Sequence, residues 1–457
     1  MEDEVVIVGA GLAGSEAAWQ LAQRGVRVRL FEMRPVTQTA VHKTGDLAEL
    51  VCSNSMKSLD ATSAAGSLKY ELAVMGSRLL YWASQNRVAA GKALAVDRDG
   101  FARAVTEALS NHPNITIERA EFTDLQKVID SSTHCIIASG PLTSDSLEAA
   151  LAQVLGTDHL AFFDAAAPIV EADSLNLTRL FSQSRYEGAE AGGDYLNAAM
   201  NRDEYERFIN ELIAARRVIN HDFETSDLFQ ACQPIEEVAR TGLDTLRYGA
   251  LKPVGIIDPV TGRRPWAVVQ LRAENSQRSS FNLVGFQTNL AFAEQERVFR
   301  MIPGLEQASF ARYGVMHRNT FIDAPRLLTG LLAWRSHPRL HFAGQVSGTE
   351  GYVEAIASGL VAALAVYADL KEIKMPTLPE HTVFGALLAY ATNPETNPYQ
   401  PMHVNYGIMP ALADRVSNKQ QRYAQYAARA AQAITAYRLQ NPGLDWLPQL
   451  NMQLLFG

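Results

Sequence analysis

The chain has 457 residues, of which 47% are hydrophobic and 20% charged, and its formal net charge is −8. That length exceeds one ordinary hydrophobic core and predicts two domains. The acidic total excludes a broadly basic nucleic-acid coat, though not a local basic face. Only three cysteines occur, at 52, 135 and 232. An odd, sparse set argues against a disulfide framework and for a reducing cytoplasm. No CxxC or His/Cys cluster suggests zinc or any other metal.

The first strand begins by Val5, so no room for a signal or transit peptide is expected. Glu4-Val-Val-Ile-Val-Gly-Ala-Gly-Leu-Ala-Gly-Ser-Glu-Ala-Ala reads as an apolar strand, a glycine turn and a helix. Gly9 permits the tight turn, Gly11 admits a pyrophosphate to the backbone, and Gly14 lets helix and strand pack closely. Ala10 lies within the turn. Amides opening the helix at Leu12 and Ala13 have no intrahelical partner and can hold a phosphate. Glu32 follows the strand-like Val26-Arg-Val-Arg-Leu-Phe, where a ribose hydroxyl needs an acceptor. A bound dinucleotide follows from strand, turn, helix and acid together.

Further along, a helical stretch is predicted near Leu68 to Ser84 and another from Phe101 to Ser110, then a short strand from Ile115. His134-Cys-Ile-Ile-Ala-Ser-Gly-Pro-Leu reads as an apolar strand expected to return beside the first, with Cys135 as core filler. Composition shifts between about 173 and 309. There, helix-like Arg202 to Ala215 and β-type runs at Trp266 and Phe281 do not alternate regularly, which predicts an α+β insertion. The chain then returns to a strand and glycine turn, Leu340-His-Phe-Ala-Gly-Gln-Val-Ser-Gly-Thr-Glu-Gly-Tyr, before a long Ala-rich helix. The apolar stretch Tyr352 to Leu370 contains Glu354 and small residues, so it reads as a buried helix rather than a membrane span.

A second helix N-terminus of this kind can stabilise negative charge on a flavin pyrimidine, so the dinucleotide is read as FAD. Gly344, Glu350, Gly351 and Tyr352 join Gly9 to Gly14 and Glu32 as candidate cofactor residues. No second GxGxxG is evident, so a reduced nicotinamide would dock transiently. The fold class is α/β: a Rossmann-like, glutathione-reductase-like FAD-binding domain (1–172 and 310–457) interrupted by an α+β insertion domain (173–309).

The motifs together resemble the FAD- and folate-dependent tRNA (uracil-5-)-methyltransferases, the TrmFO family of the MnmG/TrmFO flavoprotein superfamily. Matching strings run nearly the whole chain. They include Val8-Gly-Ala-Gly-Leu-Ala-Gly-Ser-Glu, Phe31-Glu-Met-Arg-Pro, Val51-Cys-Ser-Asn-Ser, Lys252-Pro-Val-Gly, Val284-Gly-Phe-Gln-Thr and Glu350-Gly-Tyr-Val-Glu. The chain departs from the family pattern at Asn197-Ala-Ala-Met, at Gly249-Ala-Leu, and at Ala89-Ala-Gly-Lys, where Lys92 adds a charge. The resemblance implies C5-methylation of the tRNA T-loop uridine. 5,10-Methylenetetrahydrofolate would be the carbon donor, FAD the carrier and NADPH or NADH the reductant. The one-carbon unit is thought to pass through the flavin N5.

Such chemistry needs a nucleophile for uracil C6 and a base for the C5 proton. Cys232 is the better nucleophile candidate. Pro234 fits the first turn of a helix, which places Cys232 just before an N-terminus whose free amides would lower a thiol pKa; Glu236 and Glu237 oppose that effect. Cys52 is the second candidate, at the end of a short apolar run, and the resemblance implies a role as base or flavin-adduct partner. On the residues alone a packed cysteine is the alternative at each place, and either cysteine could take either job. Tyr313, His317 and Arg318 are further candidates near the flavin.

The partner implied is tRNA, through its T-arm, with no membrane and no metal; a homo-oligomer is compatible with the sequence. From Ala411 to Gln440, Arg415, Lys419, Arg422 and Arg429 are candidate phosphate contacts, with Tyr423, Tyr426 and Tyr437 interleaved to stack on bases. A solvated helix with routine arginines is the alternative. Competing functions are the same chemistry on ribosomal RNA, a flavin-dependent oxidoreductase of a small molecule, and an inactive FAD-binding RNA chaperone.

Overall fold

The computed structural model describes residues 4–39, 41–156, 160–165, 167–185, 193–218, 233–314, 316–397 and 399–456. Glu4–Val8 forms the middle of a six-stranded sheet. Arg27–Phe31 and Ile115–Glu118 follow on one side, His134–Ile137, His337–Phe342 and Ala333–Trp334 on the other. All pairs are parallel except the last, an antiparallel hairpin. Val5 faces Val28 and His134 in register. Central strands of such a sheet are covered on both faces, which is why Val5 to Val8 and His134 to Ile137 are continuous buried runs.

Helix Leu12–Ala22 packs along the late helix Tyr352–Leu370. A Cβ at Gly359 would overlap the Ala13 carbonyl, so the two backbones meet only because that residue is glycine. The late helix is long and apolar enough to cross a membrane by composition, but 89% of its apolar window is buried inside the protein. It is the axle of the first hydrophobic core.

The expected helix across Leu68 to Ser84 is two helices, Ala64–Met75 and Arg78–Gln85. Gly76 breaks it: its φ is +79°, and a Cβ would stand 2.8 Å from the Leu447 carbonyl oxygen. Ser77 then caps the second helix, and buried Glu16 accepts from the Arg78 and Leu79 amides. Gly76 in the left-handed region and the Ser77 cap are local breaking signals, and the C-terminal segment packs against the turn they make.

Strands Leu160–Ala165 and Met316–Phe321 pair as an antiparallel ribbon. Between them lies a second core on a six-stranded antiparallel sheet. Its order is Leu180–Ser182, Tyr195–Met200, Ala267–Ala273, Ser280–Leu283, Ile169–Glu171, Phe310–Arg312. The last two strands fall just outside the span 173–309. Helix Arg202–Ala214 covers one face with Tyr205, Phe208, Ile209 and Leu212, its start fixed by a capping box of Asn201 and Glu204.

Candidate active site

A cleft of about 980 Å³, including its open mouth, runs past the C-terminal ends of the strands at Val8 and Ala138. Gly9 turns the chain at φ +95°, where a Cβ would lie 2.5 Å from the Ala138 carbonyl oxygen. A Cβ at Gly14 would overlap the Gly9 carbonyl, whereas one at Gly11 would meet nothing within 4 Å. Gly11 thus presents bare backbone to the cleft, and Gly9 and Gly14 let the turn lie flat behind it. Helix Leu12–Ala22 has no side-chain cap, so its first amides remain available to an anion. Helix Tyr352–Leu370 also lacks a side-chain cap, and Gly351 and Tyr352 reach the same cleft. Two uncapped N-termini on one cleft fit FAD: one for its pyrophosphate, one for its pyrimidine.

Glu32 lines the cleft and is buried. Its Oε2 accepts from the Ala10 amide at 3.1 Å, and its Oε1 accepts from Arg34 through the amide at 3.0 Å and Nε at 2.8 Å. Burial would raise this carboxyl; Arg34 and the amides outweigh it and hold it below the usual range. Arg34 also donates to Glu49 at 3.0 Å, so one guanidinium ties the two acids together. Burial and then the Arg34 charge push neighbouring His42 down to about 4. Sequence reasoning did not single out Arg34, Glu49 or His42. The signal available was Arg34 two residues after the ribose acid, in the string Phe31-Glu-Met-Arg-Pro.

The remaining cofactor candidates divide by position. Gly344, Leu12 and Ala13 line the cleft. Ala10 stands behind its wall, fully buried, and serves through its amide to Glu32. Glu350 is buried and accepts from Gln345 Nε2 at 2.6 Å, orienting a side chain that does reach the cleft.

Cys52 is half-buried, one residue from Val51 on the cleft wall. Its loop is pinned from five elements. The Tyr352 hydroxyl accepts from the Cys52 amide at 2.8 Å and the Ser53 amide at 3.1 Å. Burial, then the Cys52 thiol beside it, pushes the Tyr352 hydroxyl upward. Arg98 donates to the Leu50 carbonyl and pairs with Glu274 at 2.8 Å. Arg312 donates to the Val51 carbonyl. Asn54 donates to Val96 and Ala273, each at 3.0 Å, and accepts from Arg272 at 2.8 Å. Burial would lower Arg98, but Glu274 outweighs it and raises it; burial and then Arg98 lower Arg312. Arg98, Arg272 and Arg312 come from distant stretches of sequence, so nothing local announced them.

Cys232 lies outside the described residues, as do the side chains of His317 and Arg318. Helix Ile235–Arg240 begins after Pro234, which occupies its N-cap rather than its first turn. Buried Glu236 accepts from Thr288 Oγ1 and the Asn289 amide. Burial pushes its carboxyl up to about 7. Tyr313 is committed to a stack with Phe292 and Phe310 and donates to Glu296. Cys135 is fully buried in the central sheet, and burial pushes its thiol up. Lys92 is exposed, beside Gly91, whose amide donates to Asp194 at 2.5 Å. Among the described residues no His/Cys/Asp/Glu group could hold a metal.

Helix Lys419–Gln440 packs through Ala430, Ile434 and Tyr437, against Ala64–Met75. Arg415 and Lys419 are exposed, and Arg422 is half-buried. Arg429 is spent internally, on the Pro410 and Ala411 carbonyls. The tyrosines are not set out as a stacking platform: Tyr426 stacks on Tyr406, Tyr423 meets Tyr406 edge-on, and buried Tyr437 donates to Pro376. The helix needs an apolar face to dock, and these rings supply it.

A family model described as GIDA, glucose inhibited division protein A, matches residues 4–374. A protein of Moorella thermoacetica named methylenetetrahydrofolate--tRNA-(uracil-5-)-methyltransferase TrmFO is 51% identical over 432 residues, covering 94% of this chain and 97% of its own. A protein of the same name from Heliobacterium modesticaldum is 50% identical over 438 residues, covering 96% and 98%. Among solved structures, GidA of Aquifex aeolicus superposes with a TM-score of 0.70 at 15% identity, over 100% of this chain and 78% of that one. That likeness concerns the fold. The chain belongs to the GidA family of flavoproteins and, within it, to the TrmFO group.

Proposed function

We propose that this protein methylates C5 of the T-loop uridine of tRNA, taking carbon from 5,10-methylenetetrahydrofolate and electrons from NADPH or NADH. The observation that carries the reading is near-full-length similarity to relatives of that name, joined to a cysteine beside the FAD cleft. FAD supplies carbon-carrier and hydride chemistry when bound. Cys232 is the nucleophile. Its thiolate forms a bond to C6 while the C5–C6 π pair moves into the C4 carbonyl, giving an enolate that attacks the methylene carbon. Cys52 is the base: it takes the C5 proton as the carbon carrier leaves. Hydride addition to the new methylene group then expels the Cys232 thiolate. In sum, uridine, methylenetetrahydrofolate, the reduced nicotinamide and a proton give 5-methyluridine, tetrahydrofolate and oxidised nicotinamide.

Arg415, Lys419 and Arg422 are proposed phosphate contacts on the C-terminal helix, with Arg429 holding that helix in place. The test is to supply the FAD-loaded protein with undermodified tRNA transcript, labelled methylene donor and NADPH. Label in the T-loop uridine supports the proposal. Protein that labels only ribosomal RNA, or labels neither RNA while oxidising NADPH with a small substrate, overturns it.

A further inference from the structure

Arg312 ends the strand Phe310–Arg312, where the second sheet meets the cysteine loop, and is only 8% exposed. Its Nη2 donates to the Val41 carbonyl at 3.3 Å and to the Val51 carbonyl. Among the described residues, its Nε and Nη1 protons have no acceptor, and no carboxylate stands within ion-pair distance. Arg98 differs: Glu274 takes its Nε and Nη2 at 3.0 and 2.8 Å, and the Leu50 carbonyl takes its Nη1. A guanidinium stays protonated even in a largely buried residue, and these two leftover donors reach accessible space, where a ligand can supply the acceptor. The charged and titratable groups acting on Arg312 are Arg98, Tyr352, Cys52 and Glu274; Lys43 also lies close. Only Glu274 is a carboxylate, and it is paired with Arg98.

We propose that the Nε and Nη1 protons of Arg312 bind the anionic imide oxygen of a pyrimidine-type ring held beside Cys52. The inference rests on the reading of Cys52 as the C5 base. The Arg312 guanidinium is bonded to the carbonyl of Val51, the residue before Cys52. A base at C5 sets the uracil C4 oxygen, two bonds further on, toward that charge. Addition at C6 places the enolate charge on that oxygen, where a prepositioned donor is most effective. A flavin pyrimidine offers the same imide chemistry and is the second source, since Val51 forms part of the cleft wall.

FAD-loaded wild type, R312Q and R312K distinguish the sources through three measurements. These are the single-turnover methylation rate on undermodified tRNA transcript, the Kd for that transcript, and the flavin midpoint potential without RNA. Uracil as the ligand predicts a rate about 100-fold lower in R312Q and a smaller loss in R312K. The Kd then stays within about threefold and the potential is unmoved. The flavin as the ligand predicts a more negative potential in R312Q before any RNA is added. Wild-type rate and potential in both variants overturn the proposal. If R312Q does not retain flavin, R312K decides, because lysine keeps the charge but cannot hold both carbonyls and a ligand. Loss of flavin from R312K as well marks Arg312 as a structural strut and also overturns the proposal. A wild-type protein that methylates no RNA defeats the functional reading instead, and leaves the potential measurement to judge Arg312.

Discussion

Glu32 and Arg34 carry opposite charges two residues apart, both buried, and each compensates part of the cost of burying the other. Since the folded-state pKa of Glu32 is depressed, the stability it contributes is present above the unfolded carboxyl value and is lost as pH falls through the folded one. Glu32→Gln is therefore expected to flatten the acid limb of a stability-versus-pH curve and to weaken FAD binding. Thermal melts from neutral pH down to pH ~3 check the first, flavin titration the second. The cysteines separate in the same residue-by-residue way. Cys232→Ala is expected to abolish covalent trapping of 5-fluorouridine-containing RNA. Cys52→Ala should stop product formation while sparing the adduct. Cys135→Ala should leave methylation intact, because that thiol is sealed in the sheet. Trapping that survives loss of Cys232 would reverse the roles of the two reacting cysteines. That Glu32 and the Cys52 loop lie at the cleft was legible because short motifs surround them. Arg98 and Arg312 were not, because each acts through a neighbour created by folding.

At the scale of elements, the two helices that open on the cleft are fixed by how closely they approach. Gly14→Ala and Gly359→Ala would each drive a Cβ into a backbone carbonyl. Each should cost about 3 kcal/mol or more and release flavin, read as a lower Tm and a colourless preparation. The C-terminal helix behaves differently along its length. Lys419→Glu should weaken RNA binding and reduce the slope of log Kd against log salt by about 1. Arg429→Ala should lower Tm with little change in that slope, because its guanidinium serves two carbonyls of its own chain. Helix periodicity was readable here. Which arginines face solvent was not, since that depends on the loop at Pro410 folding back beneath Arg429.

For the whole molecule, the cysteine loop is the joint between the two cores. Arg98, at the start of helix Arg98–Ser110, reaches Glu274 at the end of Ala267–Ala273, and Asn54 donates to Ala273 from the loop itself. Arg98→Ala leaves Glu274 buried without its partner and should cost about 3–5 kcal/mol. Methylation should fall further than flavin affinity, since no residue lining the cleft belongs to the second core. A variant that loses flavin before it loses methylation per bound flavin would refute this view of the joint. The second sheet therefore does more than fill an interruption: it supplies Arg272, Glu274 and Arg312 to the cysteine loop.

The sequence by itself determined the strand–turn–helix that opens on the cleft, the late helix N-terminus facing it, and the β-type runs that form the second sheet. These are local features, written in glycine spacing and apolar periodicity, and they hold whatever the rest of the chain does. The internal use of the C-terminal tyrosines and the gathering of arginines around Cys52 were decided by tertiary structure. Each depends on residues of separate elements becoming neighbours, and burial then turns ordinary side chains into paired charges and packing surfaces.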